Sequence, residues 1–470
     1  MLEPLVRERL PRLQHLYDRV PTPARHLLTS ARGWVLTRLR YSRKTFAILD
    51  DLQGHETWTS TQIAEHQLEG LRRTLTHAIK TVPFYANYPR AEIHSLDDFR
   101  RLPVIDRETV LDHQEQLVCR AVPANRLIRA GTTGTTGASL RVAYSEDLAR
   151  RNWAFLLRQR AWANVSPREP RVTFQGPRIV PAQRSEPPYW TYNLPEHQVL
   201  MSIFHLSEGT APSYLEFLMQ HRGEVLEGFP SVLGILADFA MEAGIRIPMR
   251  AIFTSGEPLY PELRSKIEAA FAVGIFDTYG MTEYCGLIQE CEQGQMHLAP
   301  EYGFLEVLDQ NGNQAKPGEE GYFVWTGFLN AAMPLVRYRI GDRGRWHHGA
   351  PCRCGRAFPL VVPTITRESD ILRCPDGRLY SARALNQLLK RSTSFRCCQF
   401  VHDRAHRVVV RAVAREDLRK GNTADDLMRI RGDLQELLGT SMQVTAEIAA
   451  RPIVRRGGKI PLIVDEVAVP

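Results

Sequence analysis

Short apolar segments alternate with amphipathic segments between residues 126 and 300, and this alternation constrains the fold more than any other feature of the chain. Strands and helices that alternate along a chain pack as α/β layers. The predicted elements are strands at Ala251–Thr254 and Gly274–Thr278 and helices at Glu146–Asn164, Ser213–Gln220 and Pro261–Ala272. The sequence therefore predicts an α/β fold for this part of the chain.

The pattern changes twice after residue 300, which predicts separate structural units. A β-rich subdomain comes first, with strands at Gly303–Leu308, Gly321–Thr326 and Gly344–His348. A small α+β unit follows, with strands at Phe400–His402, Val408–Val413 and Val444–Ile448 and a helix at Asp425–Leu438. We therefore expect a helical N-terminal arm at 1–75, a large domain at 76–366 and a small C-terminal domain at 367–470.

Composition indicates a globular protein of a reducing compartment. The chain has 470 residues, of which 43% are hydrophobic and 24% charged, as is ordinary for such proteins. No stretch approaches the roughly 18 uninterrupted apolar residues of a membrane-spanning helix. Glu3, Arg7 and Glu8 would interrupt the apolar core of a signal peptide. Eight cysteines without a disulfide-type spacing point to reduced thiols, so we expect a cytoplasmic protein.

Positive charge is concentrated at the N-terminus. Residues 1–50 hold ten Lys and Arg against four Asp and Glu, whereas the whole chain carries a net charge of +8. Leucine and valine interleave with these arginines, as in amphipathic helices. We favour a solvated helical arm packed on the body of the protein; contact with an anionic membrane surface or an acidic protein is the alternative. No nucleic-acid-binding motif accompanies the charge, and a homodimer is an open alternative for the assembly.

A run of glycine and threonine from Gly131 to Gly137 lies between two predicted strands, one ending near Ile128 and one at Leu140–Tyr144. Glycines let the backbone approach a ligand closely, and successive N–H groups form an anion-binding concavity. The candidate phosphate-binding residues are Thr132, Thr133, Gly134, Thr135, Thr136 and Gly137. Since no Gly-Lys-Ser/Thr follows, the run is not a Walker A loop. A mobile turn without a ligand is the alternative reading.

Five more motifs follow in a fixed order. They are Ser255-Gly256-Glu257-Pro258, Tyr279-Gly280-Met281-Thr282-Glu283, Tyr338-Arg339-Ile340-Gly341-Asp342, Arg367 with Asp370, and Arg455-Arg456-Gly457-Gly458-Lys459. The first two follow apolar strands, whose carboxyl ends bind ligands in open α/β sheets. The third places the acid Asp342 at a predicted glycine turn, where it could accept hydrogen bonds from vicinal hydroxyls. Taken one at a time, each motif is explained as well by packing, capping or solvation.

Taken together and in this order, the loop and the motifs resemble the successive signatures of the adenylate-forming superfamily. The branch that they resemble is that of the phenylacetate–CoA ligase-like proteins, including CapK-like members linked to polysaccharide biosynthesis. The resemblance extends from about residue 75 to the C-terminus. The chain departs from the family at Ala138-Ser139, where proline and lysine are common, and at Thr366, where the family has glycine before Arg367.

The resemblance implies a large N-terminal adenylate-forming domain of layered α/β sheets with a β-rich subdomain, and a small, mobile α+β C-terminal domain. The Gly131–Gly137 loop would hold the β- and γ-phosphates of ATP. The other implied positions are Ser255, Gly256 and Glu257 against the adenine, Tyr279, Gly280 and Met281 beside it, Thr282 and Glu283 at the α-phosphate and Mg²⁺, Asp342 and Arg367 at the ribose, and the catalytic Lys459 from the small domain. Rotation about Asp370 would then present a second face for the second half-reaction.

The activity that this resemblance implies is an ATP-dependent, AMP-forming ligation of a carboxylic acid to a thiol. The acid would be activated as an acyl-adenylate with Mg²⁺, and the acyl group would pass to an acceptor, for which CoA is the first expectation. Alternatives keep the adenylation and use an amine, a sugar or a carrier protein, or transfer AMP to a cofactor. A catalytically degraded nucleotide-binding scaffold is favoured by Ala138-Ser139 and Thr366 and opposed by Glu283, Asp342 and Lys459.

A second constellation contains three cysteines and one histidine, namely Cys291, His297, Cys352 and Cys354. Three thiolates and an imidazole suit a tetrahedral zinc ion of the structural type, with no open position for catalysis. Some phenylacetate–CoA ligase-like proteins carry a metal in the corresponding region, which favours zinc. Ordinary reduced cysteines are the alternative.

The acyl pocket has weaker candidates. His205 is a polar residue inside an apolar run, and the segment Gly228-Phe229-Pro230-Ser231 resembles a small-residue element of the family beside the acid. Tyr279 is a further candidate. Core packing explains Phe229 equally well, and a hydrogen-bonded core histidine is slightly favoured over a substrate contact for His205.

Overall fold

Helices and strands are described here from a computed structural model that covers residues 17–88, 93–131, 140–175, 178–364, 371–389, 392, 394–403, 406–414, 420–440, 442–450, 453 and 462–465. The helices in these ranges are α1 Thr22–Arg40, α2 Arg43–Gly54, α3 Ser60–Thr81, α4 Leu96–Arg100, α5 Arg107–Asp112, α6 Glu146–Trp162, α7 Ala211–Gln220, α8 Pro230–Glu242, α9 Pro261–Phe271, α10 Ala382–Leu389 and α11 Lys420–Leu438. Polar caps start several of them: Ser42 caps α2, and Thr59 forms a capping box with Gln62 at α3. Among these helices, none combines the length and apolarity needed to cross a bilayer.

The strands belong to several sheets, of which the largest, the central sheet, has eight strands. The strands in the described ranges are β1 Ile105–Asp106, β2 Ile128–Gly131, β3 Arg141–Tyr144, β4 Arg171–Phe174, β5 Trp190–Asn193, β6 Gln198–Met201, β7 Val225–Gly228, β8 Ala251–Ser255, β9 Ile275–Gly280, β10 Leu287–Glu290, β11 Met296–Leu298, β12 Gly303–Leu308, β13 Gly321–Gly327, β14 Tyr338–Trp346, β15 Val361–Pro363, β16 Ile371–Arg373, β17 Leu379–Ser381, β18 Phe395–His402, β19 Arg407–Ala414, β20 Gln443–Ile448 and β21 Ile463–Asp465. The central sheet has the order β11-β10-β9-β8-β7-β4-β6-β5. Its inner strands β6, β4, β7, β8 and β9 are parallel and connected in part by α7, α8 and α9. The predicted α/β fold is confirmed.

A second sheet has the order β1-β14-β13-β12, with β15 paired to β14. Its strands β12, β13 and β14 are antiparallel, whereas β1 runs parallel to β14 with Asp106 opposite Arg339. Phe323 and Trp325 of β13 are fully buried and form the centre of its core. This sheet corresponds to the predicted β-rich segment.

A β-bulge interrupts β14 at the predicted glycine turn. Arg339 pairs with Val324 and Arg343 with Tyr322, so that three residues of β14 lie opposite a single residue of β13. Gly341, at the middle of the bulge, has φ +97°, which a residue with a Cβ rarely adopts. The motif is thus not a turn between elements, as we expected, but an irregularity within one strand that redirects Asp342.

The C-terminal unit consists of the sheet β20-β19-β18-β21, the helices α10 and α11 and the β16–β17 ribbon. It packs against the central sheet, because one hydrophobic cluster contains Tyr189 and Tyr214 together with Tyr380 and Leu372. Arg178 also forms an ion pair with Glu436 of α11 at 3.1 Å. The predicted boundary with Arg367 and Asp370 falls outside the described residues, so the limits of the three parts stay a prediction.

The N-terminal helices lie on the body of the protein, and a buried ion network joins them to the central sheet. Helix α1 contacts β5 so closely that a Cβ at Gly33 would lie 1.6 Å from Asn193 Oδ1. The members of the ion network are Arg40 of α1, Arg160 of α6, Arg171 of β4, Glu196 after β5 and Glu227 of β7. Arg171 donates to Glu196 at 2.5 Å, and Arg160 is paired with Glu227. These ion pairs compensate the charge of arginines whose burial without a partner would be unfavourable.

Candidate functional site

The carboxyl ends of parallel strands bring two of the predicted motifs together. Ser255 ends β8 and lies opposite Thr278 of β9 in the ladder. Gly256 follows with φ +81°, a conformation that turns the chain sharply out of the strand. The Glu257 carboxylate accepts a hydrogen bond from the backbone N–H of Ser231 at 3.0 Å, in the first turn of α8. This bond joins the predicted adenine wall to the Gly228–Ser231 segment.

Tyr279 connects the two sheets. Its phenol donates a 2.8 Å hydrogen bond to Asp342 Oδ2 in the bulge of β14. Its ring lies nearly parallel to that of Trp325, with centroids 6.3 Å apart, and contacts Phe323 edge-on at 5.8 Å. Tyr279 and Asp342, which are 63 positions apart in the chain, are therefore adjacent, as the predicted adenine and ribose positions require.

Glu283 is a buried carboxylate with only partial compensation of its charge. It is 3% exposed, and its Oε1 lies 3.3 Å from Arg107 Nη1 and accepts a hydrogen bond from the Tyr338 hydroxyl at 3.3 Å. Burial raises the pKa of Glu283, and Arg107 offsets this effect only in part. A carboxylate in this condition can accept a further cation.

The residues between Tyr279 and Glu283 lie at the edge of this site. Gly280 is exposed, and Met281 and Thr282 are half-buried. Tyr284 closes the turn with φ +56°, in the left-handed region. The five-residue motif thus runs from the end of β9 into a tight turn that buries Glu283 and leaves Thr282 accessible.

The two strands that flank the predicted phosphate loop in the sequence lie beside this turn. The two strands that were predicted on either side of the loop are present as β2 and β3, and they pair antiparallel with Gly131 opposite Arg141. Tyr144 of β3 contacts Tyr284 with ring centroids 5.2 Å apart, which places the hairpin next to Glu283. The loop residues themselves, Thr132, Thr133, Gly134, Thr135, Thr136 and Gly137, lie outside the described residues, as do Arg367 and Lys459. Their roles stay predictions.

The cysteines and the histidine of the second constellation meet in space. Their ligand atoms all lie within 4.8 Å of one another, with Cys291 Sγ 3.6 Å from Cys352 Sγ and Cys354 Sγ 3.4 Å from His297 Nε2. The edge of a tetrahedron of zinc ligands is roughly 3.8 Å between two sulfurs at the usual Zn–S length. A disulfide needs about 2.0 Å. The donor set therefore fits a closed four-ligand metal site.

The surroundings of His297 orient it for such a site. Its Nδ1 lies 3.1 Å from the carbonyl oxygen of Phe358, to which it can donate, and this contact leaves Nε2 facing Cys354. A ring nitrogen held in this way is typical of metal-binding histidines. The backbone N–H groups of Gln293 and Cys354 also point to cysteine sulfurs, Cys291 at 3.4 Å and Cys352 at 3.5 Å.

His205, by contrast, is a core residue. Its Nδ1 is 2.7 Å from Ser202 Oγ and its Nε2 is 2.8 Å from the carbonyl oxygen of Pro181, so both ring nitrogens have protein partners. The ring stacks on Tyr189. Burial lowers the pKa of His205 to about 4, so the ring is neutral at physiological pH. The favoured reading of a hydrogen-bonded core histidine agrees with these contacts.

Arg107 is the residue of the site that the sequence did not reveal. It is the first residue of α5, directly after β1, and β1 reaches the site because it pairs with β14. No motif surrounds it, and 176 positions separate it from Glu283. Tyr338 belonged to a recognised motif, but its bond to Glu283 was also unexpected.

Comparisons with known proteins find similarity to the family that the motifs resemble. The sequence model of the family described as AMP-binding enzyme matches residues 197–332. Protein CapK of Staphylococcus aureus is 23% identical over 457 residues, which cover 95% of this chain and 98% of CapK. The phenylacetate-coenzyme A ligase of Pseudomonas putida is 26% identical over 365 residues, 73% of this chain and 79% of the ligase.

Among solved structures, an open conformation of 2-hydroxyisobutyryl-CoA ligase, in complex with 2-HIB-AMP and CoA, shares the fold. Its TM-score is 0.53 with 18% sequence identity, and the match covers 88% of this chain and 93% of the ligase chain. The predicted resemblance is thereby confirmed. The chain is thus similar to CapK over nearly its whole length and to the phenylacetate-coenzyme A ligases over about two thirds of it, its residues 197–332 match the AMP-binding enzyme model, and it shares the fold of 2-hydroxyisobutyryl-CoA ligase.

Proposed function

We propose that this protein is an ATP-dependent, AMP-forming ligase that joins a carboxylic acid to the thiol of CoA. The carboxylate attacks the α-phosphorus of ATP, pyrophosphate leaves, and the thiol of CoA then displaces AMP from the acyl-adenylate. The observation that carries the proposal is the convergence of Ser255, Tyr279, Glu283 and Asp342 from different elements at one sheet edge. The relatives named phenylacetate-coenzyme A ligase support the same reaction.

The residues divide the work as follows. Asp342 would bind the ribose hydroxyls, Tyr279 would lie against the adenine beside Ser255, Gly256 and Glu257, and Glu283 with Thr282 would hold Mg²⁺ at the α-phosphate. Because Glu283 is buried with one partial cationic partner, a divalent ion would complete its compensation. Lys459, from a small domain at 367–470, would stabilise the charge that develops on the α-phosphate while the large domain at 76–366 holds both substrates.

A different acceptor is the second candidate. The match to CapK covers 95% of this chain, whereas the matches to the ligases of Pseudomonas putida and Thermus thermophilus cover 73% and 67%. Adenylation would be unchanged in this case, and the acyl group would pass to an amine, a sugar or a carrier protein. The two candidates differ only in the second half-reaction.

Carboxylate-dependent release of pyrophosphate from ATP and Mg²⁺ tests the first half-reaction. A broad panel of acids should include one class that drives release, with hydroxylamine trapping the adenylate, and addition of CoA should yield a thioester and AMP. Lys459→Ala should lose most of the release, whereas Lys316→Ala, at an exposed turn between β12 and β13, should retain it. The proposal would be contradicted if the Lys459→Ala variant released pyrophosphate normally. It would also be contradicted if the wild type bound ATP but released no pyrophosphate with any acid of the panel.

We further propose that Cys291, His297, Cys352 and Cys354 hold one structural zinc ion. The ion would tie the β10–β11 hairpin to the connection between β14 and β15, since Cys291 follows β10, His297 lies in β11 and the other two cysteines lie in that connection. Three thiolate ligands persist in reducing surroundings, so we also propose a cytoplasmic location.

Metal analysis after gel filtration tests the zinc site. One equivalent of zinc should remain bound to the wild type, and Cys352→Ser should lose it together with thermal stability. Cys119→Ser is the matched control, because Cys119 is buried away from the cluster. A fully stable wild type without zinc would contradict the proposal.

A further inference from the structure

Helix α1 exposes an apolar stripe to the solvent. Leu27, Ala31, Trp34 and Arg38 follow one another at helical spacing and are all exposed, with Leu27 at 71% and Trp34 at 52%. We call these four residues the outer stripe. Leu194, at 69% exposure, lies beside the same helix, since its N–H donates to Ser30 Oγ at 3.2 Å. Large apolar side chains exposed together indicate an interaction surface.

The packing of α1 explains why the stripe faces outward. Beside the stripe, Ser30 Oγ donates to the carbonyl of Tyr192, and farther round the helix Gly33 lies against Asn193. Leu36 is buried. The helix therefore already uses one face against the sheet edge, and the outer stripe is a second apolar face that this packing leaves in solvent.

The segment of chain that contains the stripe carries charge of a single sign. Residues 19–49 contain seven Lys and Arg and no Asp or Glu. Arg40 belongs to the buried ion network, but Arg19, Arg38, Arg43 and Lys44 are exposed. The guanidinium of Arg38 lies over the ring of Trp34, 3.5 Å from its centroid, so the cation and the apolar surface are in direct contact.

We propose that the outer stripe binds a bilayer surface that contains anionic phospholipids. The 19 residues of α1 form a rod of about 28 Å that can lie flat on a membrane, with Leu27 and Trp34 at the boundary between head groups and acyl chains. The exposed cations would contact the lipid head groups, each contributing about 1 kcal/mol near an anionic surface. This inference does not depend on the ligase activity.

Two rival occupants fit the observations less well. A second copy of this chain would bring two faces of the same positive charge together, which disfavours association. A protein partner needs roughly 800 Å² of surface per side for a stable interface, whereas the outer stripe is one row of side chains on a convex helix. A lipid surface requires only a few inserted apolar side chains, and its anionic head groups attract the exposed Lys and Arg side chains.

Co-sedimentation of the full-length protein with vesicles tests the proposal. The protein should sediment with vesicles of mixed phosphatidylglycerol and phosphatidylcholine, more weakly at high salt, and should stay in solution with phosphatidylcholine alone. The double variant Leu27→Ser, Trp34→Ser should bind about tenfold more weakly. Arg43→Ser with Lys44→Ser should bind several-fold more weakly.

A matched control is Met241→Ser with Met428→Ser, which removes two equally exposed apolar side chains elsewhere and should not change vesicle binding. Thermal melting should show that all variants remain folded. Absence of binding to the anionic vesicles overturns the proposal, as does binding that the Leu27/Trp34 variant leaves unchanged. A stripe variant that only converts a dimer to a monomer in sedimentation velocity also overturns it, in favour of a second copy.

Discussion

Glu227, which is largely buried with its side chain 13% exposed, and Glu283, which is fully buried, are carboxylates whose charge is compensated in different ways. Glu227 lies between Arg160 and Arg171 and accepts a hydrogen bond from Thr173 at 3.0 Å. Burial alone raises the pKa of Glu227, but the two arginines outweigh it and the pKa lies below its ordinary value. For Glu283, burial is the largest effect and the pKa is raised, because Arg107 and the hydrogen bond from Tyr338 offset it only in part.

This difference separates a charge that the protein compensates itself from one that a ligand could complete. The carboxylates of the ion network are compensated by the protein itself, so they hold α1 and α6 on the sheet and have no capacity left for a ligand. Glu283 is left with incomplete compensation at a sheet edge, next to the strand that follows the predicted phosphate loop in the sequence. Such undercompensated groups are typical of binding sites, where the ligand supplies the missing charge.

The comparison predicts the largest loss of stability at Glu227. Glu227→Gln leaves Arg160 and Arg171 buried beside a neutral amide, which costs about 3–5 kcal/mol of unfolding free energy. Because the pKa of Glu227 is lowered, its stabilisation is complete above the ordinary value of 4.5 and is lost as the pH falls through the folded-state pKa. Thermal melting should therefore show a gap between variant and wild type that closes in acid. The control is Glu319→Gln, because Glu319 is exposed. An equal loss of unfolding free energy in both variants would show that the arginines do not make Glu227 special.

Glu283→Gln should have the opposite profile. The amide avoids the cost of an ionised buried carboxylate, so stability should change by less than about 1 kcal/mol. Pyrophosphate release should fall by about 10²-fold or more, the usual result of removing one electrostatic contact in a transition state. Melting and steady-state kinetics on the same preparation measure both effects. If Glu283→Gln lowers the melting temperature strongly but the folded variant releases pyrophosphate at the wild-type rate, then Glu283 has a structural role like that of Glu227.

Arg107→Met should change the pH dependence of activity. Arg107 lowers the pKa of Glu283, so its removal raises that pKa and moves the acidic limb of the pH–activity profile to higher pH. We expect activity at neutral pH to fall by about tenfold. Arg101→Met, on the surface beside Asp98, is the matched control. A uniform loss of activity without a shift of the limb would mean that Arg107 acts on something other than Glu283.

Tyr279→Phe should have the smallest effect. The variant removes the hydrogen bond to Asp342 but keeps the ring against Trp325, so it should cost about 0.5–1.5 kcal/mol. The KM for ATP should rise a few-fold, because Asp342 is less well oriented for the ribose, and kcat should change little. An unchanged KM for ATP would show that the bond does not prepare Asp342 for the nucleotide.

Local pattern predicted many elements to within a few residues. Gly303–Leu308 was predicted with the observed bounds, and the helix predicted at Pro261–Ala272 ends at Phe271, with Ala272 in the left-handed region. Such elements are set by periodicity and by end signals within a few residues. The bulge at Gly341 was taken for a turn, because a glycine with positive φ serves both and only the partner strand distinguishes them.

The sequence named residues that lie together in the candidate site, but it did not predict the contacts between them. Motif order gave Ser255, Tyr279, Glu283 and Asp342, and the Cys/His spacing gave four residues that the fold brings within 4.8 Å. No local sequence motif marked Arg107, because its position in the site depends on the parallel pairing of β1 with β14 across more than 230 positions. No local pattern encodes a pairing over such a distance.

The sequence by itself determined the α/β class, the order of the motifs and the positive charge of the N-terminal arm, because these depend on residue type, spacing and composition. Tertiary structure alone decided which charges are compensated. It placed Glu227 between two arginines, left Glu283 with one arginine and one tyrosine hydroxyl, and turned the outer stripe of α1 to the solvent. The physical reason is that desolvation and Coulomb interaction depend on distance and burial, which exist only once distant segments have packed.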